Sequence, residues 1–195
     1  MREQAPERDL LLRVGVASTL VLAVALRFWT PTQMWLDEAL TVNISKLPLH
    51  AIPGALRRDG APPLYYYLLH VWMKAFGSSN LGARSLSAVI GVVNLPLIYL
   101  LGQRVGLRTW LGPVEDRGLS EDEAATLSER SRVVAWTCVL LLATSPFAIY
   151  YDTESRMYSL VMLLTTTGLL SLIALLSRPP VLPAAGLAVS TGLLL

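Results

Sequence analysis

The sequence predicts an all-α integral membrane fold, a polytopic helical bundle with interfacial helices in its first outer loop. Three observations carry this expectation. Hydrophobic residues make up 53% of the 195 and charged residues only 15%, against about 25% charged in an ordinary soluble domain. Mean hydropathy is +0.52. The apolar residues also fall in long runs instead of at the spacing of one buried helix face, and such runs need lipid as their solvent. A formal net charge of +2 leaves no electrostatic footprint for a nucleic-acid partner. The single cysteine, Cys138, cannot close an intrachain disulfide and belongs to no Cys/His zinc pattern.

The first span is expected at about residues 10–29. Arg2, Arg8 and Arg13 precede its apolar stretch as they would in a signal peptide. However, the chain continues Phe28-Trp29-Thr30-Pro31 with no small-residue cleavage site, which reads as a retained helix with interfacial aromatics. Arg13 and Arg27 lie near its ends, where long side chains snorkel to headgroups. An outer loop follows over 30–84. The second span is expected at 85–102 with a kink at Pro96, and a cytoplasmic loop at 103–132. In that loop Ser120 and Glu123 have capping-box spacing, and Glu115 to Arg132 reads as a solvated helix. Further spans are expected at 133–150, 157–176 and 181–195, with a turn at Arg178-Pro179-Pro180. The last apolar segment stops at Leu195, so the chain is read as the N-terminal part of a longer protein.

Orientation follows from lysine and arginine. With the N-terminus inside, nine of them are cytoplasmic and six lie outside, mostly in one long loop. The expected location is the plasma (inner) membrane, multi-pass, with a cytoplasmic N-terminus.

Three segments carry candidate chemistry. Asp37 and Glu38 follow the first span, where nearby low-dielectric material raises a carboxylate pKa and suits a general base; an acidic first helical turn explains the same pair. From Pro62 and Pro63 a helix is expected to start, with Tyr66, His70 and Lys74 forming one polar stripe along the membrane surface. His50 and His70 alone make no metal site. The third segment, Tyr150 to Tyr158, crowds Asp152, Glu154 and Arg156 into a short outer turn. Such groups are costly at a membrane edge unless paired or used, and a local Asp152–Arg156 ion pair is the plain structural reading. Both acidic clusters and the arginine fall on the outer side, so one cleft is expected to hold them, with Asp37 within reach of the Arg156 turn.

These features, in order, resemble the GT-C membrane glycosyltransferases, in the branch of the protein O-mannosyltransferases and aminoarabinose transferases. The residues concerned are Asp37-Glu38, Pro62 to Tyr66 leading to His70-Val71-Trp72, Gly82 to Ala88, and Ser145-Pro146 followed by Tyr151, Glu154, Arg156 and Tyr158. Ala61 stands where such enzymes commonly carry a histidine. The resemblance implies transfer of a sugar from a polyprenyl-phosphate-linked donor to an acceptor hydroxyl on the outer face, with Asp37 as the base and Glu38 beside it. It implies that Arg156 and Arg84 contact the lipid phosphate, and it marks Glu154, Tyr158 and His70 as substrate-binding candidates. Some enzymes of this kind hold a divalent metal at such acidic loops and others need none. Partners expected on this reading are the lipid-linked donor and membrane lipid. Two other classes fit the sequence: a polytopic transporter or lipid flippase, disfavoured because the charges cluster at the outer edge, and a non-catalytic membrane subunit.

Overall fold

The computed structural model describes residues 4–57, 61–111, 120–176 and 181–193, and every element among them is a helix. In chain order these are α1 (Gln4–Arg27), α2 (Leu36–Ser45), α3 (Ile52–Leu56), α4 (Pro63–Phe76), α5 (Asn80–Leu111), α6 (Glu121–Thr144), α7 (Pro146–Asp152), α8 (Tyr158–Leu175) and α9 (Val181–Gly192). Asp59, residues 115–119 of the expected solvated helix and the Arg178-Pro179-Pro180 turn lie outside the described residues.

Among the described residues, three helices are long and apolar enough to cross a membrane: Leu10–Arg27, Asn80–Leu107 and Tyr158–Leu175. The bent pair α6–α7 makes a fourth if it is taken as one span. α9, at 12 residues, is shorter than the roughly 20 a bilayer requires. α5 is the organising element, packed along α6 on one side and α8 on another, while α9 packs on α8 and α1 on α6. It runs through Pro96 without ending there. Its approach to α6 is set by small residues. A Cβ added at Gly102 would come within 2.8 Å of Ala135 Cα, and one at Gly106 within 3.0 Å of Ser131 Cα. Two glycines four apart thus let the backbones touch, the means by which apolar helices associate where water supplies no drive.

Two expectations about the helices are corrected. The solvated helix and the third span are one continuous helix, α6. The Ser120–Glu123 capping box starts it, with Glu123 N–H donating to Ser120 Oγ at 3.3 Å and Ser120 N–H donating to the Glu123 carboxylate at 3.0 Å. That helix does not reach Tyr150. It breaks at Ser145, and α7 departs at 60°. Pro146 is the cause: its ring drives the preceding residue out of the helical region, and Ser145 sits extended at φ −64°, ψ 119°. Ser145 then caps α7 through its hydroxyl, which accepts from Ala148 N–H.

The described residues between α1 and α5 form a layer of three short helices, α2 to α4, set over the first turns of α5 and α8. Its core joins Val42 and Ile44 of α2, Ile52 and Leu56 of α3, Leu69 and Met73 of α4, Leu86 and Ile90 of α5, and Leu160 of α8. Gly77 ends α4 at φ +80°, a conformation glycine adopts freely. The expected outward polar stripe of α4 is turned over. Tyr66 and His70 are buried, while Leu68, Val71 and Phe76 are exposed with Lys74. The physical reason is His70, whose Nδ1 lies 2.8 Å from the Ser45 carbonyl at the end of α2. A carbonyl only accepts, so Nδ1 carries the proton and the ring is fixed inward.

Candidate functional site at the polar end of the bundle

The acidic pair at the start of α2 splits into two environments, because consecutive helical residues point about 100° apart. Glu38 points in and is fully buried. It accepts from Arg84 of α5 in a fork, Nε to Oε1 at 2.8 Å and Nη2 to Oε2 at 2.5 Å. It also accepts the Ser155 N–H at 2.8 Å, and the Trp35 N–H at 3.3 Å. Arg84 spends its remaining donors on the carbonyls of Thr32 and Gln33. Burial alone would raise the Glu38 pKa. The Arg84 hydrogen bonds, the Ser155 N–H and the Arg84 charge outweigh it and hold this carboxyl below its ordinary value. For Glu38 this corrects the expectation that nearby low-dielectric material raises a carboxylate pKa there.

Asp37, on the adjoining face, is half-buried among exposed Trp35, Leu36 and Leu40. Its backbone carbonyl accepts from the Thr41 hydroxyl one turn on, at 2.8 Å. The same hydroxyl receives a hydrogen bond from Arg156 Nη1 at 3.1 Å. The Arg156 turn is therefore brought to the start of α2, and Asp37 is close enough to favour the guanidinium charge electrostatically. Burial works against the charge on Arg156. The Tyr158 hydroxyl, Tyr66 and Asp37 outweigh it, so the group stays cationic with its pKa raised. No carboxylate among the described residues lies within ion-pair distance of Arg156.

The local Asp152–Arg156 pair is not formed. α7 ends at Asp152 and α8 begins at Tyr158, so the intervening residues never share a helix face. Asp152 instead pairs with Arg27, Nε to Oδ2 at 2.8 Å, both fully buried. Arg27 therefore does not snorkel to headgroups. It also donates to the carbonyls of Ala23, Ala143 and Leu142 at 2.9, 3.2 and 3.2 Å. The last two are carbonyls that the Pro146 break leaves without their usual helical partners. The Asp152 carboxylate rests on Gly91 of α5, where an added Cβ would lie 2.2 Å from its Cγ.

The remaining candidates surround this hub. Glu154 is buried and faces the Tyr150 hydroxyl. Tyr158 is exposed, with its ring 4.6 Å from that of Tyr151. His70 is committed to Ser45, away from the open side. Three residues not named as site candidates complete the arrangement: Thr41, and Tyr65 and Ser87, which lie inside the motifs Pro62 to Tyr66 and Gly82 to Ala88. Tyr65 Oη and Ser87 Oγ lie 2.7 Å apart, and Ser87 donates to the Arg156 carbonyl at 3.3 Å. Burial raises the Tyr65 pKa, so this phenol stays neutral. A signal for Thr41 was its position one turn after Asp37; nothing in the sequence linked it to Arg156.

A divalent metal finds few donors here. Both Glu38 oxygens are occupied by N–H donors, and no three of His, Cys, Asp or Glu come together among the described residues. Between α1, α5 and α6 lies an apolar cavity of about 400 Å³, lined among others by Leu20, Val24, Pro96, Tyr99 and Trp136. It belongs to the apolar length of the bundle and not to the polar end. Comparison of the chain with family models, curated proteins and solved structures finds no match.

Proposed function

We propose that this protein is a glycosyltransferase of the outer membrane face, moving a sugar from a polyprenyl-phosphate donor to an acceptor hydroxyl. One observation carries the reading. Of the charges gathered at this end, Arg84 and Arg27 are each neutralised by a buried carboxylate and the buried Glu154 faces the Tyr150 hydroxyl, while a half-open carboxylate, Asp37, lies near a guanidinium with no carboxylate partner among the described residues, Arg156. A base next to a lone cation is the pairing that transfer from a singly charged phosphodiester needs.

The roles proposed combine what the resemblance implies with this geometry. Asp37 takes the proton of the acceptor hydroxyl as that oxygen bonds to the anomeric carbon. The bond from the anomeric carbon to the phosphate oxygen breaks, and its electron pair leaves with the polyprenyl phosphate. Arg156 stabilises the charge that grows on that phosphate. Glu38 and Arg84, expected from the resemblance to act on substrate, are reassigned as the buried frame that holds the start of α2. Exposed Trp29, Trp35, Leu36 and Leu40 around Asp37 favour a substrate that arrives from the lipid. The inner membrane and a cytoplasmic N-terminus are part of the same proposal.

The test is sugar transfer in membranes containing the protein, supplied with polyprenyl-phosphate mannose and arabinose. Asp37→Asn at equal protein level is expected to lower the rate on the order of 10²-fold or more. Equal transfer by both forms would remove Asp37 as the base. A transporter reading draws on the buried Arg27–Asp152 pair, since ionisable pairs inside a bundle often mark transport paths. Absence of transfer with every donor would move the weight there.

A further inference from the structure

We infer that Thr41 is a positioning residue for this reaction, its hydroxyl fixing the Arg156 guanidinium beside the Asp37 carboxylate. The inference rests on the transferase reading above.

A threonine hydroxyl has one proton to donate and two lone pairs. The proton of Thr41 goes to the Asp37 carbonyl at 2.8 Å, which leaves the oxygen free to accept from Arg156 Nη1 at 3.1 Å. The side chain is 1% exposed, so water does not compete for either bond. Its β-branch leaves few rotamers in a helix and the bond to the Asp37 carbonyl selects among them, so the acceptor is held in one direction. The Arg156 backbone is held separately. Its carbonyl accepts from Ser87, and the preceding N–H, of Ser155, is bound by Glu38. These contacts fix where the turn lies, not where a long guanidinium side chain points. Among the described residues Thr41 supplies the hydrogen bond that ties that guanidinium to the helix bearing Asp37. Without it, Tyr158, Tyr66 and the Asp37 charge, which also favour the Arg156 cation, are the remaining attractions, and no hydrogen bond to α2 fixes where the guanidinium points.

A threonine that bonds back to the carbonyl four residues earlier is common in helices and needs no functional reason. The Arg156 contact separates the two roles. A packing role predicts loss of folded protein. A positioning role predicts loss of turnover that disappears once Arg156 itself is removed.

The experiment is a double-mutant cycle on the full chain in membranes, with polyprenyl-phosphate mannose or arabinose as donor. Thr41→Val, Arg156→Gln and the double variant are compared at equal protein level, with Thr41→Ser and Asp37→Asn alongside. Thr41→Val is expected to lower kcat/KM on the order of ten- to 100-fold, the range for a lost hydrogen bond to a charged group and a displaced reacting group. Thr41→Ser, which keeps the hydroxyl, should stay near wild type. In the Arg156→Gln background Thr41→Val should change the rate by no more than about two-fold, the margin within which separate effects add. Wild-type rates for Thr41→Val beside an inactive Asp37→Asn overturn the inference and leave the transferase reading standing. Losses that multiply through the cycle also overturn it. Full activity of Asp37→Asn, or no turnover of either donor by wild type, removes both readings together. If Thr41→Val does not accumulate, Thr41→Cys takes its place in the cycle under the same criteria, its thiol being a much weaker acceptor.

Discussion

Asp37 and Glu38 are neighbours in the chain, yet one half-faces solvent and the other accepts hydrogen bonds from Arg84, Ser155 and Trp35 in a fully dry setting. Removing the Glu38 charge would leave Arg84 buried without its counter-charge, a loss of about 3–5 kcal/mol for a broken interior pair. We expect Glu38→Gln to lower the unfolding temperature of purified protein in detergent, and Arg84→Lys to do so as well, because an ammonium cannot reproduce the fork that reaches Glu38, Thr32 and Gln33 together. The pH dependence has a definite sign. The Glu38 pKa is lowered by folding from its ordinary 4.5, so its contribution is complete above that value and disappears as pH falls through the lower folded value. Wild-type stability should therefore drop in acid by a component that Glu38→Gln lacks. A pair of melting curves with parallel acid limbs would contradict this assignment. The sequence made the acidic pair visible at once, and Arg84 and Arg156 with it. Which carboxylate turns inward was not legible, because that depends on Arg84 standing 46 residues away on α5. Thr41 was missed for the same reason: half of its hydrogen bonding goes to a residue 115 positions on.

At the level of the helices, local chemistry explains both what was foreseen and what was not. The Ser120–Glu123 capping box and the proline start of α4 are written in short stretches of chain, and both stand in the structure. Hydropathy drew the third span through Ser145, since Phe147, Ile149 and Tyr150 are as apolar as what precedes them. Averaged hydropathy is blind to the Pro146 ring, which turns Ser145 extended and bends the chain, and the break presents the Leu142 and Ala143 carbonyls that Arg27 then takes. Arg27 did carry a signal, a charge at the end of an apolar run, but its partner could be found only once α7 had folded back to present Asp152. The α5–α6 contact was hidden too, because glycines in a span look like ordinary composition until a second helix lies on them. Gly102→Val should be unable to fit, with Ala135 Cα already 2.8 Å from where its Cβ would stand. Overpacking of this kind costs about 1–3 kcal/mol. The expected result is a lower melting temperature in detergent, with a weaker effect for Gly106→Ala, where the neighbouring Ser131 lies at 3.0 Å. Unchanged stability of Gly102→Val would mean that α5 and α6 pack farther apart in the membrane.

For the whole molecule the decisive property is polarity along the bundle axis. α5 has 32 residues, which at the α-helical rise gives a length of about 48 Å, well beyond the roughly 30 Å of a bilayer's hydrocarbon core. Its first turns carry Arg84 and the candidate site; its other end runs alongside the start of α6, where Glu121, Asp122 and Glu123 are exposed. If α5 crosses the membrane, these two charged ends cannot share a side. The turned-over face of α4 and the split face of α2 agree with this. His70 of α4 turns in to Ser45 and Glu38 of α2 turns in to Arg84, while Leu36, Leu40, Leu68, Val71 and Phe76 point outward, an arrangement that water disfavours and a headgroup layer accepts. Because Cys138 is the single cysteine, sidedness can be read with one label. In a Cys138→Ser background, Gln33→Cys, in the exposed loop before α2, should react with a membrane-impermeant maleimide in intact cells. Glu121→Cys, at the exposed start of α6, should react only after the cells are opened. The reverse pattern would put Asp37 and Arg156 in the cytoplasm, where transfer from an outward-facing lipid donor has no substrate. Labelling of both positions in intact cells would mean that α5 does not cross, and the site would then be one that works on a membrane surface.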